Sequence, residues 1–418
     1  MRSGTALVVG GGIIGLSCAH RLLGAGFATT VISPVVTNAP ASWGNAGHLA
    51  VEQVEPLASR KSLRKAMHQL ITGSGPIRAP LGDMHHWLPF FLRMARACGN
   101  AKFRAGTTAL ASCMQGAAPA WRRLLGEIGQ PRLLLECGHF VVWESPRTAR
   151  RGKTRWNRTD TGPASFRDAT PGELQRLASL IGPEIHAAIR FEGTGQFTDP
   201  GDLLDTLEKS IVASGALRTS GLVTKVCHDK RGLAVLETDD GTRHTADAVV
   251  IAAGVGSGRL LASAGSAAPV IAERGYHIQA PTDGWPDGMP PIVFEDRSMI
   301  VTNFTSALRA SGYVEFARPD RPPVESRWRA LQAHVVSLGL PFGEPVTRWM
   351  GARPTLPDYL PAIGRSRHLN NLYYAFGHQH LGVTMAALTA ELIRDLIAGR
   401  RPTVDPRPFD LDRFGVNR

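Results

Sequence analysis

The chain has 418 residues, 43% hydrophobic and 20% charged, with 45 glycines and 29 prolines scattered without a repeat. That balance supplies cores for about two or three domains and excludes a disordered, collagen-like or coiled-coil chain. Lys and Arg number 47 against 35 Asp and Glu, a formal charge of +12, which suits nucleic acid, anionic lipid or an acidic partner without choosing among them.

No apolar run reaches the roughly 18 residues of a bilayer span. Met1 to Val9 carries one early Arg and then an apolar stretch, but it runs into glycines and not into a small-residue cleavage site, so it reads as a strand and not a signal peptide. The cysteines (Cys18, Cys98, Cys113, Cys137, Cys227) are odd in number and form no C-x-x-C pair, which argues against a disulfide framework or a structural zinc site. The cytoplasm, or the inner face of its membrane, is the expected compartment. The densest basic cluster is Arg147, Arg150, Arg151, Lys153, Arg155 and Arg158. It reads as a solvated loop, with docking to a membrane or a partner subunit as the alternative.

In chain order, Thr5 to Val9 is a short apolar strand, Gly10 to Gly15 a G-x-G-x-x-G turn, and Ile13 to Ala25 a helix closed by Gly24 and Gly26. Thr29 to Ile32 completes a βαβ unit. Asp199-Pro200-Gly201-Asp202 caps a helix to Ala213, followed by a meander of three strands at Val223 to Cys227, Leu233 to Thr238 and Arg243 to Thr245. Ala246 to Gly254 is then a continuous apolar run of the kind buried on both faces of a parallel sheet. A last helix is expected from Val383 to Ala398.

In the turn, Gly10 permits the bend, Gly12 lets a pyrophosphate approach the backbone, and Gly15 lets helix and strand pack closely. The helix start at Ile13 and Ile14 offers free N–H groups to the diphosphate. Such units usually end their second strand in Asp or Glu for the ribose, whereas here the ending is Val31-Ile32-Ser33-Pro34. Ser33 can hydrogen-bond ribose without charge assistance. No Arg or Lys lies between Ser33 and Arg60 to meet a 2′-phosphate, so FAD is preferred to NADP.

The Gly10 to Gly15 turn, the Ser42-Trp43-Gly44-Asn45-Ala46-Gly47 loop, the meander into Ala246 to Gly254, the Arg274-Gly275-Tyr276 step, the Trp349 to Pro361 segment and the Gly377-His378 loop stand in a familiar order. Together they resemble the D-amino-acid oxidase-like FAD-dependent oxidoreductases, most closely the D-amino-acid dehydrogenase branch, with glycine and sarcosine oxidases as cousins. The resemblance implies an α/β fold: a Rossmann-like FAD-binding domain (1–60, 165–268 and 346–418) and an α+β substrate domain built from insertions (61–164 and 269–345). It places Ser42, Gly44, Asn45, Ala46 and Gly47 against the flavin ring, and Val223, Ala253, Gly254, Gly377, His378, Gly382 and Val383 around the cofactor. Arg353, within Trp349-Met350-Gly351-Ala352-Arg353-Pro354, would hold the substrate carboxylate. Tyr276 would be a second carboxylate donor or a core residue. His378 matches the family histidine, and His48 reads equally as an active-site or a structural histidine.

The activity implied is hydride transfer from the Cα of a small D-amino or cyclic imino acid, D-proline-like substrates included, to flavin N5, giving an imino acid. A quinone or other acceptor is expected over oxygen, because the lysine that promotes the oxygen reaction in the sarcosine oxidase cousins has no counterpart after Lys230. No metal and no nucleic-acid partner are expected. The alternatives are an oxygen-using amine oxidase and a flavin-binding subunit of a larger electron-transfer complex.

Overall fold

The computed structural model describes residues 4–34, 40–72, 75–182 and 185–415; Met1 to Ser3 lie outside them. The alternating β-branched residues of the first and second strands build a six-stranded sheet in the order Leu217–Ser220, Ala28–Ser33, Thr5–Val9, Ala248–Ile251, Leu372–Phe376, Ala362–Arg365. The first five are parallel and the last antiparallel. Because side chains alternate across a strand, Ala6 and Val8 face helices Ile13–Gly24, Pro200–Ala213 and Gly382–Ile397, while Leu7 and Val9 face the meander Val223–His228, Ala234–Thr238, Arg243–Thr245. Asp199 caps its helix through Gly201 N–H at 2.7 Å, where the Asp-Pro-Gly spelling places it.

A second, mostly antiparallel sheet runs Thr347–Thr355, Ile271–Ala280, Leu308–Phe316, Met299–Asn303, Ile292–Phe294, His139–Trp143, Ala187–Glu192, Ser165–Asp168, with Ile77–Arg78 beside Leu308–Phe316. Its membership departs from the expected domain limits. Ala187–Glu192 and Thr347–Thr355, expected in the nucleotide domain, pair with His139–Trp143 and Ile271–Ala280 of the insertions, and Ser165–Asp168 extends the same sheet beside Ala187–Glu192. Conversely, helix Asn100–Glu127 buries Trp121, Leu124 and Leu125 in the core beneath the parallel sheet. Burial of these apolar faces, not sequence contiguity, decides which core each segment joins.

The basic stretch expected as a loop is a helix, Pro146–Trp156, started by Ser145, whose hydroxyl accepts from Thr148 N–H. Pro at the first helical position and a serine cap suffice to nucleate it. Lys153 and Arg155 pair with Asp168 and Glu295.

Candidate active site

The C-terminal ends of the parallel strands and one face of the second sheet enclose a cavity of about 1030 Å³. The expected site residues line it, apart from Gly15, Gly47 and Gly377. Gly10 has φ +118°, and a Cβ there would lie 2.8 Å from the Ala252 carbonyl carbon. Gly15 packs on the Gly10 backbone, so its part is helix–strand contact. Helix Ile13–Gly24 has no acid in its first turn and no side-chain cap from Gly12. Ser42 accepts from Ile13 N–H at 3.2 Å, which ties the loop to the helix start.

Ser33 is not alone. Arg218, on the neighbouring strand, donates from Nη2 to Ser33 Oγ at 3.0 Å, and its Nε meets Glu208 at 2.9 Å. A cation therefore does stand at this strand end, contrary to the expectation from residues 33 to 60. It arrives by parallel strand pairing from far along the chain, and Glu208 compensates its charge.

The Ser42 to Gly47 loop is held by its carbonyls. Arg309 Nη1 donates to Trp43 O (2.9 Å) and Asn45 O (2.6 Å), His277 Nδ1 to Gly44 O (3.1 Å), and Thr302 Oγ1 to Ala46 O (2.9 Å). Arg309 is buried between the rings of Trp43 and Phe304. Burial lowers its pKa to about 10, so it stays charged at neutral pH. The Trp349 indole stacks on His277 and sits where a Cβ on either Gly44 or Gly351 would fall. Sequence reading missed Arg309, His277 and Thr302, which carry no motif.

Strands Ile271–Ala280 and Thr347–Thr355 pair Glu273 with Arg353 and Gly275 with Gly351. The Arg353 guanidinium lies across Gly275, with Nη1 3.4 Å from Glu273 Oε1. Glu273 also accepts from Thr355 Oγ1 (3.1 Å) and Tyr359 OH (3.3 Å). Arg353 makes no other hydrogen bond among the described residues, and its side chain is 26% exposed. Tyr276 borders the cavity, but its hydroxyl donates to Glu315 at 2.7 Å and accepts from Val324 N–H at 3.2 Å. The expected carboxylate donor is thus already committed, because strand alternation turns residue 276 away from the face that bears Glu273 and Gly275.

His378 Nε2 meets Thr389 Oγ1 at 3.0 Å, and its buried Nδ1 has no partner. Burial lowers its pKa to about 3, so the ring is neutral. His380 hydrogen-bonds Gln53, and burial first, then Arg353, lowers it to about 4. His48 places Nδ1 3.1 Å from Gly195 O and Nε2 3.1 Å from Glu52 Oε1. His139 joins them on the cavity wall, bringing ligand-type atoms of the three residues within 4.8 Å of one another. No sequence pattern flagged Glu52 or His139.

The family model "DAO: FAD dependent oxidoreductase" matches residues 5–396. A D-amino-acid oxidase of Bradyrhizobium diazoefficiens is 30% identical over 97% of this chain and 98% of its own. A D-amino acid dehydrogenase of Neisseria meningitidis is 26% identical over 98% and 99%. The crystal structure of glycine oxidase from Geobacillus kaustophilus superposes with a TM-score of 0.73 at 21% identity, covering 99% of both chains, and shows the same fold. This chain belongs to the DAO family of FAD-dependent oxidoreductases.

Proposed function

We propose that the chain is an acceptor-linked dehydrogenase of a small D-amino acid or cyclic imino acid, with its FAD lying from the Gly10 to Gly15 turn to the Gly351 to Arg353 strand. The cavity suits that cofactor: Gly10, Gly11 and Gly12 line it, a helix start with no acid in its first turn faces it, and the loop 42–47 presents backbone whose carbonyls are already bound elsewhere. When bound, FAD supplies the two-electron acceptor.

The observation that carries the reading is Arg353, a half-buried guanidinium on the cavity wall with a single, long protein contact. Such a group grips a carboxylate through two parallel N–H bonds, and Glu273 and Gly275 fix its plane. Holding the carboxylate fixes the Cα–H bond relative to the acceptor, and positioning of this kind is worth orders of magnitude in rate. The neighbouring histidines His378 and His380 are neutral, so the cationic charge offered to substrate is concentrated on Arg353. No lysine among the described residues lines the cavity, which favours a quinone or dye over oxygen; the name of the Bradyrhizobium relative favours an oxidase.

Anaerobic mixing of the yellow protein with D- and L-amino acids and with proline tests the reading. Bleaching of the flavin by small D-amino or cyclic imino acids is expected, with slow recovery in air and fast recovery with a quinone. Bleaching by none of them would point to a flavin-binding subunit, and rapid peroxide formation in air to an oxidase.

A further inference from the structure

Helices Arg60–Thr72 and Met84–Ala97 pack Ala66, Phe90, Phe91 and Met94 onto Ile271 and Phe316. Their other side leaves large apolar side chains open among basic ones. Of the 11 large hydrophobic side chains exposed among the described residues, six fall between Leu57 and Leu92. Leu81 is 83% and Leu92 55% exposed; Met84, Leu88 and Leu92 recur every four residues along helix Met84–Ala97, which aligns them along one stripe, and Leu81 stands in the turn that leads into it. A stripe of this kind is not what a solvated helix presents.

The same segment is strongly basic. Arg60, Lys61, Arg64, Lys65, Arg93, Arg96, Lys102 and Arg104 are exposed, and none is in an ion pair among the described residues. Between residues 57 and 121 the single acid is Asp83, which is buried and held by Arg318 and Arg321. The basic helix Pro146–Trp156 differs: it exposes no large hydrophobic residue.

We infer that this helical face docks on an anionic lipid bilayer. The apolar stripe would enter the acyl boundary while Lys and Arg stems reach back to phosphate level. Charge complementarity selects this occupant. A second copy meeting the face across a two-fold axis would set the same uncompensated cations against each other. No helix among the described residues is long and apolar enough to cross a membrane, and the contact inferred is one of side chains with the bilayer surface. Leu57 and Pro76 also line the cavity, and docking therefore sets one of its rims beside the bilayer.

Flotation with vesicles of equal parts phosphatidylglycerol and phosphatidylcholine, against pure phosphatidylcholine, tests the inference. The FAD-loaded protein should float with the anionic vesicles only, and less at high salt. The L81D/L88D and K61E/R64E double variants should each lose tenfold or more of that binding, since each cation near the surface contributes about fivefold. Their melting temperature and dye-linked turnover should match the parent, and R150E/R151E should bind as the parent does. Four results would overturn the inference: no flotation of the parent, equal flotation on pure phosphatidylcholine, loss in R150E/R151E without loss in the face variants, or a solution dimer that L81D/L88D dissolves.

Discussion

Gly275 sets the position of Arg353, and replacing it with alanine is the most informative small change. An alanine Cβ would lie 2.6 Å from Arg353 Cζ, whereas ordinary contact begins at 3.4 Å. The backbone at 275 tolerates a side chain, because Gly275 is not among the positive-φ glycines. The guanidinium must therefore retreat by roughly 1 Å, lengthening a Glu273 contact already at 3.4 Å. A displacement of about 1 Å in a positioning group costs on the order of 100-fold in rate, or about 2.7 kcal/mol. Gly275→Ala should accordingly lower kcat/KM by roughly 10- to 100-fold, with kcat falling as well as KM rising, and with normal FAD content. Steady-state kinetics with a dye acceptor, alongside the flavin-to-protein ratio, measures both. Unchanged kcat/KM in a variant shown to keep its FAD would refute the placement of Arg353 against substrate.

Gly44→Ala would drive a methyl into the Trp349 indole; it should destabilise by about 1–3 kcal/mol and reduce FAD content, read by thermal melting and flavin absorbance. Ser33→Glu would meet Arg218 across the present 3.0 Å hydrogen bond, so any gain in FAD affinity should stay below about 1 kcal/mol, and calorimetric titration of the apoprotein with FAD and NADPH should show no NADPH binding. Buried His378 titrates near 3 in the folded chain and near 6.5 unfolded. The unfolded state therefore takes up the proton first, and stability falls as pH drops below about 6.5, by about 2 kcal/mol between pH 6.5 and 5 for one such histidine. Urea midpoints at pH 7 and pH 5 should show a loss of at least that size, and His378→Asn should reduce it by about one histidine's share, with His139, His277 and His380, also lowered by burial, supplying the rest; an equal slope in the variant would mean that the native ring takes up the proton.

What the sequence disclosed was local. Gly10, Gly12 and Gly15 lie within one turn between an apolar strand and a helix, and the meander is bounded by its own turn residues, so spacing alone located the glycine turn at the cavity wall. Arg218 escaped notice because a parallel strand brings it to Ser33 from 185 residues away. Arg309 and Glu273 escaped for the same reason: their partners lie across a loop contact or a strand pairing. Tyr276, open in sequence between carboxylate donor and core residue, turns its hydroxyl to Glu315, since its neighbours Glu273 and Gly275 belong to the opposite face of the strand. The membership of the second sheet's outer strands is not legible in sequence, because nothing in Ser165–Asp168 or Thr347–Thr355 states which sheet they join. Helix Pro146–Trp156 looked like a loop because its charges outweighed its serine cap and its first-turn proline.

The central claim is that Arg353 holds a substrate carboxylate while the α-carbon gives up two electrons. Its most direct test is anaerobic rapid mixing of the FAD-loaded protein with a D-amino acid that reduces it and with the carboxamide of the same compound. The account predicts fast flavin bleaching by the acid and little or none by the amide, with the difference largely abolished in Arg353→Ala. Equal bleaching by acid and amide in the parent protein would contradict it.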